Sequence, residues 1–158
     1  MKVVFLDIDG VLNYAACLSR APDGLMGVDP GCIRTLHSIV DPSSAVIVLV
    51  STWQTCWVNG VPDASGQYLI DELAKEGLEI FDMTGRWGYD RGLGIHEWLE
   101  KHKKVTHYVV LDDEINPDYP QWNVPEHLVQ TSYWSGGLKP EHVHAALELL
   151  GTREVSSS

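Results

Sequence analysis

The sequence predicts an α/β domain of three layers, in which a mostly parallel sheet is wound on both faces by helices. Three observations carry that expectation. Short β-branched runs at residues 3–6, 45–50 and 108–111 show no polar alternation, as strands covered on both faces do. Stretches with helical spacing lie between them. Two of the three runs lead straight into paired acids, so their polar residues gather where the strands end.

Taken in order, Val3-Val4-Phe5-Leu6 is the first strand, cut off by Asp7. Residues 13–29 contain Pro22, Gly24 and Gly27 and are too few for a folded cap, so a short flap is expected there. Ile33, Leu36 and Val40 after Pro30 mark the first helix, and residues 45–50 the second strand. Leu69 and Leu73, after Gly66, mark a second helix, and a further strand is expected at 78–81. Ile95, Trp98 and Leu99 form the apolar stripe of a third helix, followed by strands at 108–111 and 128–130. The last helix is opened by Pro140, shows Val143, Ala146, Leu147 and Leu150 on one face, and stops at Gly151. Strand and helix alternate as in a doubly wound, Rossmann-like domain. One domain over residues 1–150 is expected, with a mobile polar tail at 151–158.

Composition limits the function classes. With 158 residues, 44% hydrophobic and 21% charged, the chain is neither fibrous nor disordered. Surface scaling lets roughly 69% of its surface be buried, enough without staples. Eleven Lys and Arg against 22 Asp and Glu give a net charge of −11, which argues against bulk nucleic-acid binding by phosphate neutralisation but leaves room for a local basic groove. Cys17, Cys32 and Cys56 form no C-x-x-C pair and are odd in number, which fits a reducing cytoplasm. The apolar run at 3–6 is too short for a signal-peptide core, and that at 45–50 too short to span a bilayer, so no membrane partner is expected. A homo-oligomer is left open.

The segment Asp7-Ile8-Asp9-Gly10-Val11 carries the chemistry. A buried strand runs into two carboxylates one residue apart, at the end of a strand where ligands collect in open α/β sheets. Burying both would be costly without a cation, since neighbouring carboxylates raise one another's pKa. Gly10 lets the backbone turn sharply so that both acids face one cavity. Asp112-Asp113 follow the 108–111 strand in the same way. Hard oxygen ligands in this number suit Mg²⁺ rather than zinc. The middle strand ends at Ser51-Thr52, whose hydroxyls and backbone N–H groups could hold an anionic oxygen, although an ordinary helix cap would also explain them.

Asp7-Ile8-Asp9-Gly10-Val11, then Val50-Ser51, then a basic residue, then Leu111-Asp112-Asp113 resembles the four ordered motifs of the haloacid dehalogenase (HAD) phosphatase superfamily. The resemblance covers about residues 2–113. It resembles, in particular, small HAD domains without a large cap, found alone or fused in nucleic-acid repair proteins, in which an Arg before a segment like Ile95-His96-Glu97-Trp98-Leu99 precedes the last acidic motif. The resemblance implies that Asp7 is the nucleophile and forms an aspartyl-phosphate. Asp9 would be the general acid and later the base for water. It implies Mg²⁺ held by Asp7, Asp9 through its backbone carbonyl, and Asp112, with Asp113 as a further ligand or a hydrogen-bond acceptor behind them. Ser51 would hold a phosphoryl oxygen, and Thr52, Gly10 and Trp53 complete the expected substrate contacts. The common pattern has Lys as the third-motif base. Arg91 is the candidate here, Arg86 its rival, and a surface ion pair of Arg91 with Asp90 or Glu97 the ordinary alternative.

Other signals are weaker. Trp53 and Trp57, four apart, could share a face near the phosphate or could serve burial, and Trp87, Trp122 and Trp134 lie in loop-like sequence that could rim a cleft. His142 and His144 diverge on their helix, His96-Glu97 with His102 fails H-E-x-x-H spacing, and neither Gly92-Leu93-Gly94 nor Ser135-Gly136-Gly137 makes a phosphate loop. The expected function is a Mg²⁺-dependent phosphomonoesterase on a nucleotide, another phosphorylated small molecule or a nucleic-acid end. Phosphotransfer through the same intermediate, or a non-catalytic metal-stabilised binding module, are the alternatives.

Overall fold

The computed structural model describes residues 1–153. Five parallel strands form the sheet: β1 (Lys2–Leu6), β2 (Val46–Leu49), β5 (Ile80–Met83), β6 (His107–Asp112) and β7 (Leu128–Gln130), in the spatial order β5-β2-β1-β6-β7. A two-stranded antiparallel hairpin, β3 (Trp57–Val58) and β4 (Val61–Pro62), stands apart from it. The helices are α1 (Pro30–Ser43), α2 (Ala64–Ala74), α3 (Arg91–Lys101) and α4 (Val143–Leu149). The chain builds outwards from β1 through β2 to β5, then crosses back to β6 and β7. The order therefore reverses between β1 and β6.

Side-chain alternation along β1 divides the interior into two cores. Val4 and Leu6 pack with Ile47, Leu49, Val109 and Leu111 against α1, α2 and α4. Val3 and Phe5 face the other way, onto Val48, Val110 and the α3 residues Ile95 and Trp98. A central strand apolar on both faces is what a layer on each side requires. The expected three-layer, doubly wound architecture is therefore the observed one, without a large cap.

Helix starts follow local chemistry. Asp29 caps α1 by accepting from Cys32 N at 3.2 Å, and Pro30 occupies the first turn, where its missing N–H costs nothing. Asp63 caps α2 through Gly66 N at 2.9 Å. The strand expected at 78–81 begins two residues later, because Leu78 belongs to the end of α2. Gly77 takes a positive φ of 71°, and Leu78 N returns to Leu73 O at 3.0 Å with its side chain buried. The hairpin was not expected, although its turn, Asn59-Gly60 with φ of 51° and 77°, is a standard hairpin signal.

Residues 13–29 form a short excursion pinned by the Arg20–Met26 bridge and by Asp29 N to Leu12 O at 2.7 Å. Of the tail expected at 151–158, residues 154–158 lie outside the described residues. Thr152 is tied back by its N–H to Leu147 O and by Lys2 Nζ at 2.9 Å.

Phe5 is fully buried and meets Trp98 and Tyr108 edge-on, with centroids 5.6 and 5.7 Å away. Phe5→Ala should lower unfolding stability by about 3–5 kcal/mol. Urea denaturation checks this, and a loss below 1 kcal/mol on the order of surface substitutions would contradict the packing described.

Candidate active site

The crevice outside the reversal point of an open α/β sheet is where ligands sit. Here it lies between β1 and β6, whose register pairs Leu6 with Leu111. The ladder continues one step past the strand: Asp7 N donates to Leu111 O at 2.9 Å, and on the other side Val50 N donates to Leu6 O at 3.0 Å. Backbone pairing thus brings Asp7, Ser51 and Asp112 to one edge.

Asp7, Asp112 and Asp113 each present a carboxylate oxygen, and these oxygens lie within 4.8 Å of one another. Asp7 and Asp112 are buried, with 5% and 1% of their surface exposed, and Asp113 is half-buried. Burial, then the charge of Asp112, pushes the Asp7 carboxyl well above its ordinary range, against a smaller lowering by Arg91. The Asp113 carboxyl is pushed up to about 7, first by burial and then by Asp112. Arg91 is the nearby cation: its Nη1 lies 3.4 Å from Asp7 Oδ1 and 3.7 Å from Asp112 Oδ2. Three acids against one guanidinium leave an excess of negative charge, and the all-oxygen donor set fits a hard divalent cation such as Mg²⁺. A cation would reverse the upward pKa shifts.

Asp112 is braced from behind. Its Oδ2 accepts from the buried Tyr119 hydroxyl at 2.7 Å and from Asn116 Nδ2 at 2.9 Å, and its Oδ1 accepts from Glu114 N at 3.1 Å. Burial and the Asp112 charge raise the Tyr119 phenol, so it stays protonated and donates. Asp7 Oδ1 accepts from Ile8 N at 2.8 Å. Gly10 has a φ of 82°, and a methyl group on it would overlap the Asp113 carboxyl group, so the turn after β1 and Asp113 can pack together only with glycine there.

Asp9 differs from the sequence expectation that both acids face one cavity. Its carboxylate is outside the convergent group and is exposed. Its Oδ1 accepts from Asn13 Nδ2 at 2.9 Å and Trp53 Nε1 at 3.2 Å. Beside it opens a cleft of about 470 Å³, with Thr52, Trp53, Leu25, Met26 and Tyr133 among its walls. Ser51 is fully buried, and its Oγ accepts from Trp53 N at 3.1 Å, capping the 3-10 turn Thr52–Cys56. Trp53 lies in that turn, and Trp57 follows it in the hairpin. Both pack partly buried against the larger core.

Arg91 and Arg86 are separated by geometry. Arg86 binds Asp90 and Glu97 at 2.9 and 2.8 Å, so the surface pairing considered for Arg91 falls to Arg86. Arg91 opens α3, and its side chain reaches the carboxylates with only 12% of its area exposed.

A family model described as the HAD domain in Swiss Army Knife RNA repair proteins matches residues 3–143. The chain belongs to this family. Comparison with curated proteins and with solved structures gives no match. For this HAD domain, family membership supports phosphate-ester chemistry, and the three-carboxylate group could hold the metal that HAD domains generally use. Among the described residues no helix is long and apolar enough to cross a membrane.

Several residues that build the site were not found from the sequence. Asp118 caps α3 from across the chain, its two carboxylate oxygens accepting from Gly92 N and Leu93 N at 2.8 Å each, and so fixes the turn that carries Arg91. Thr131 Oγ1 donates to Gly10 O at 2.6 Å, and Asn13 Oδ1 accepts from Gly10 N at 2.9 Å. A short stretch rich in Asn, Asp and Tyr just after Asp112 was the available signal for Asn116, Asp118 and Tyr119.

The Asp113 shift sets a pH dependence. Its carboxyl holds a proton more tightly folded than unfolded between the usual carboxylate value of 3.8 and about 7. Metal-free protein should therefore lose stability as pH rises through that window. Mg²⁺ should raise the melting temperature more at pH 7.5 than at about pH 5, because the ion must displace that proton. Thermal melts at both pH values check this, and an equal Mg²⁺ effect at both would contradict it.

Proposed function

We propose that this HAD domain is a Mg²⁺-dependent phosphomonoesterase working through an aspartyl-phosphate on Asp7. The observation that carries the reading is the convergence of Asp7, Asp112 and Asp113 beside Arg91, with Asp9 held apart at the mouth of the adjoining cleft. Asp7, Asp112, Asp113 and the Asp9 backbone carbonyl would hold the ion, which supplies charge neutralisation for the substrate phosphate and the attacking carboxylate.

The steps fall to the chain's own residues. The Asp7 carboxylate attacks phosphorus, and the bond to the ester oxygen breaks as Asp9 gives that oxygen a proton. Asn13 and Trp53 both donate to Asp9 Oδ1, which leaves Oδ2 to carry the proton. The Asp9 carboxylate then takes a proton from water as that water attacks the aspartyl-phosphate, releasing inorganic phosphate and restoring both acids. Arg91 offsets charge on the transferring group through its N–H donors, held in place by α3 and Asp118. Ser51 can still donate its hydroxyl proton while accepting from Trp53 N, which fits it to hold a phosphoryl oxygen.

The cleft beside Asp9 supports a nucleotide or a nucleic-acid terminal phosphate as substrate. Its volume of about 470 Å³ accepts a nucleoside-sized leaving group, and Trp53, Tyr133 and Met26 offer apolar surface for a base. The free thiols of Cys17, Cys32 and Cys56 fit a cytoplasmic setting.

Incubation with nucleoside monophosphates and Mg²⁺ should release inorganic phosphate, and Asp7→Asn should abolish it. Phosphate transferred to an alcohol in place of water would assign phosphotransfer; silence across nucleotides, sugar phosphates and phosphorylated oligonucleotides would overturn the enzymatic reading. Arg91→Ala should keep the fold and lower turnover by about 10²–10³, whereas Arg86→Ala should leave turnover within a few-fold. The reverse pattern in the same assay would transfer the role to Arg86.

A further inference from the structure

The strongly acidic chain carries one concentrated basic edge, at the end of the sheet opposite the acids. Lys2, Lys101, Lys103, Lys104 and Arg153 are five of its eleven Lys and Arg residues. Secondary structure brings them together. Lys101 ends α3, and Lys103 and Lys104 form the turn before β6. The Met1 ammonium donates to Lys104 O at 3.0 Å, Lys2 pairs in register with His107, and Lys2 Nζ reaches Thr152, the neighbour of Arg153. Lys101, Lys103, Lys104 and Arg153 are exposed. β1 has a rise of about 3.3 Å per residue, which puts Lys2 about 17 Å from Asp7.

A shallow cavity of about 310 Å³ opens on this edge, with His102, Lys103, His107, Tyr108 and His127 in its wall. Two stacked ring pairs support it: His127 lies on Tyr108 with centroids 3.8 Å apart, and His102 on Trp98 at 3.7 Å. His102 Nδ1 is 2.7 Å from Trp98 O and His127 Nδ1 is 3.3 Å from Tyr108 O, so each ring is fixed through Nδ1 and keeps Nε2 for another partner. Among the described residues, the acids that adjoin this edge include Glu100, Glu126 and Glu148, the last next to the lining residue Leu149. Glu100 pairs with Lys103 at 2.7 Å, both exposed, and Glu126 lies near Tyr108. An exposed pair of this kind is weak enough for a phosphate to replace it.

We propose that this edge binds the backbone of single-stranded nucleic acid, separately from the phosphate-ester site. Several point charges along one rim suit successive phosphates, and flat rings in the cavity suit a base, a combination an acidic peptide does not need. The edge lies at the opposite end of the strands from the acid cluster, so a bound strand avoids the strongest negative field.

The test uses a short single-stranded RNA with hydroxyl ends, which is not a substrate, followed by fluorescence anisotropy at low and moderate salt without Mg²⁺. The full chain should bind it with a salt-dependent affinity. The triple variant Lys101→Glu/Lys103→Glu/Lys104→Glu should bind at least about tenfold more weakly, with the log–log salt slope shallower by about one to two. Circular dichroism and an unchanged rate on a nucleoside monophosphate would show that the variant is folded and that its ester site is intact. No binding by the unmodified chain, an unaltered affinity in the variant, or displacement by polyglutamate as effective as by RNA would overturn the proposal. Binding is read without turnover, so an inactive enzyme would leave this result standing.

Discussion

The structure depends on holding three carboxylates together at the reversal point of a parallel sheet. Backbone pairing forces the approach: Leu6 and Leu111 are in register, and Asp7 N continues the ladder to Leu111 O, so the side chains that follow the two strands emerge side by side. Like charges at this distance oppose folding unless a counterion or a proton compensates. Arg91 compensates in part, while burial and, after it, the charge of Asp112 keep the Asp7 and Asp113 carboxyls raised. The two apolar cores keep β1 and β6 in place against that repulsion. Tyr119, Asn116 and the main chain at Glu114 spend hydrogen bonds on Asp112 alone.

The two acids of the β1 turn occupy different environments, and different environments allow different roles. Asp7 is buried among other carboxylates beside a guanidinium, whereas Asp9 is exposed at the cleft with one oxygen tied by Asn13 and Trp53. The two acids are only one residue apart where the chain leaves β1, and Gly10 with its positive φ turns the chain directly after them. Asp113 packs into the space a side chain at position 10 would fill. The excursion at 13–29 supplies Asn13, Leu25 and Met26 to the same region, so it acts as a wall and a brace rather than as a cap.

Much of this was legible in the residues. Fully buried strands announce themselves as unbroken aliphatic runs, and the acids that end them cannot be mistaken for core, so β1, β2, β6 and the Asp7, Asp112 and Asp113 positions could be read directly. Arg91 was legible because it opens the helix that leads into β6. What remained hidden was chemistry that depends on contacts distant in sequence. Asp118 caps a helix that begins well before it in the chain, and Thr131 reaches Gly10 across two strands. Leu78 reads as a strand residue by composition but closes α2 instead, because a buried side chain after Gly77 satisfies the helix end. The exposed position of Asp9 was also out of reach, since it follows from hydrogen bonds that Asn13 and Trp53 make only in the folded chain.

The claim on which the account turns is that Asp7 accepts the phosphoryl group. Turnover with Mg²⁺ and a nucleoside monophosphate, quenched in acid and followed by mass spectrometry of the peptide containing Asp7, tests it most directly. The account predicts one phosphoryl group on Asp7 that forms and decays at the rate of phosphate release. Phosphate release at full rate with the adduct on another residue, or with no adduct at all, would contradict it.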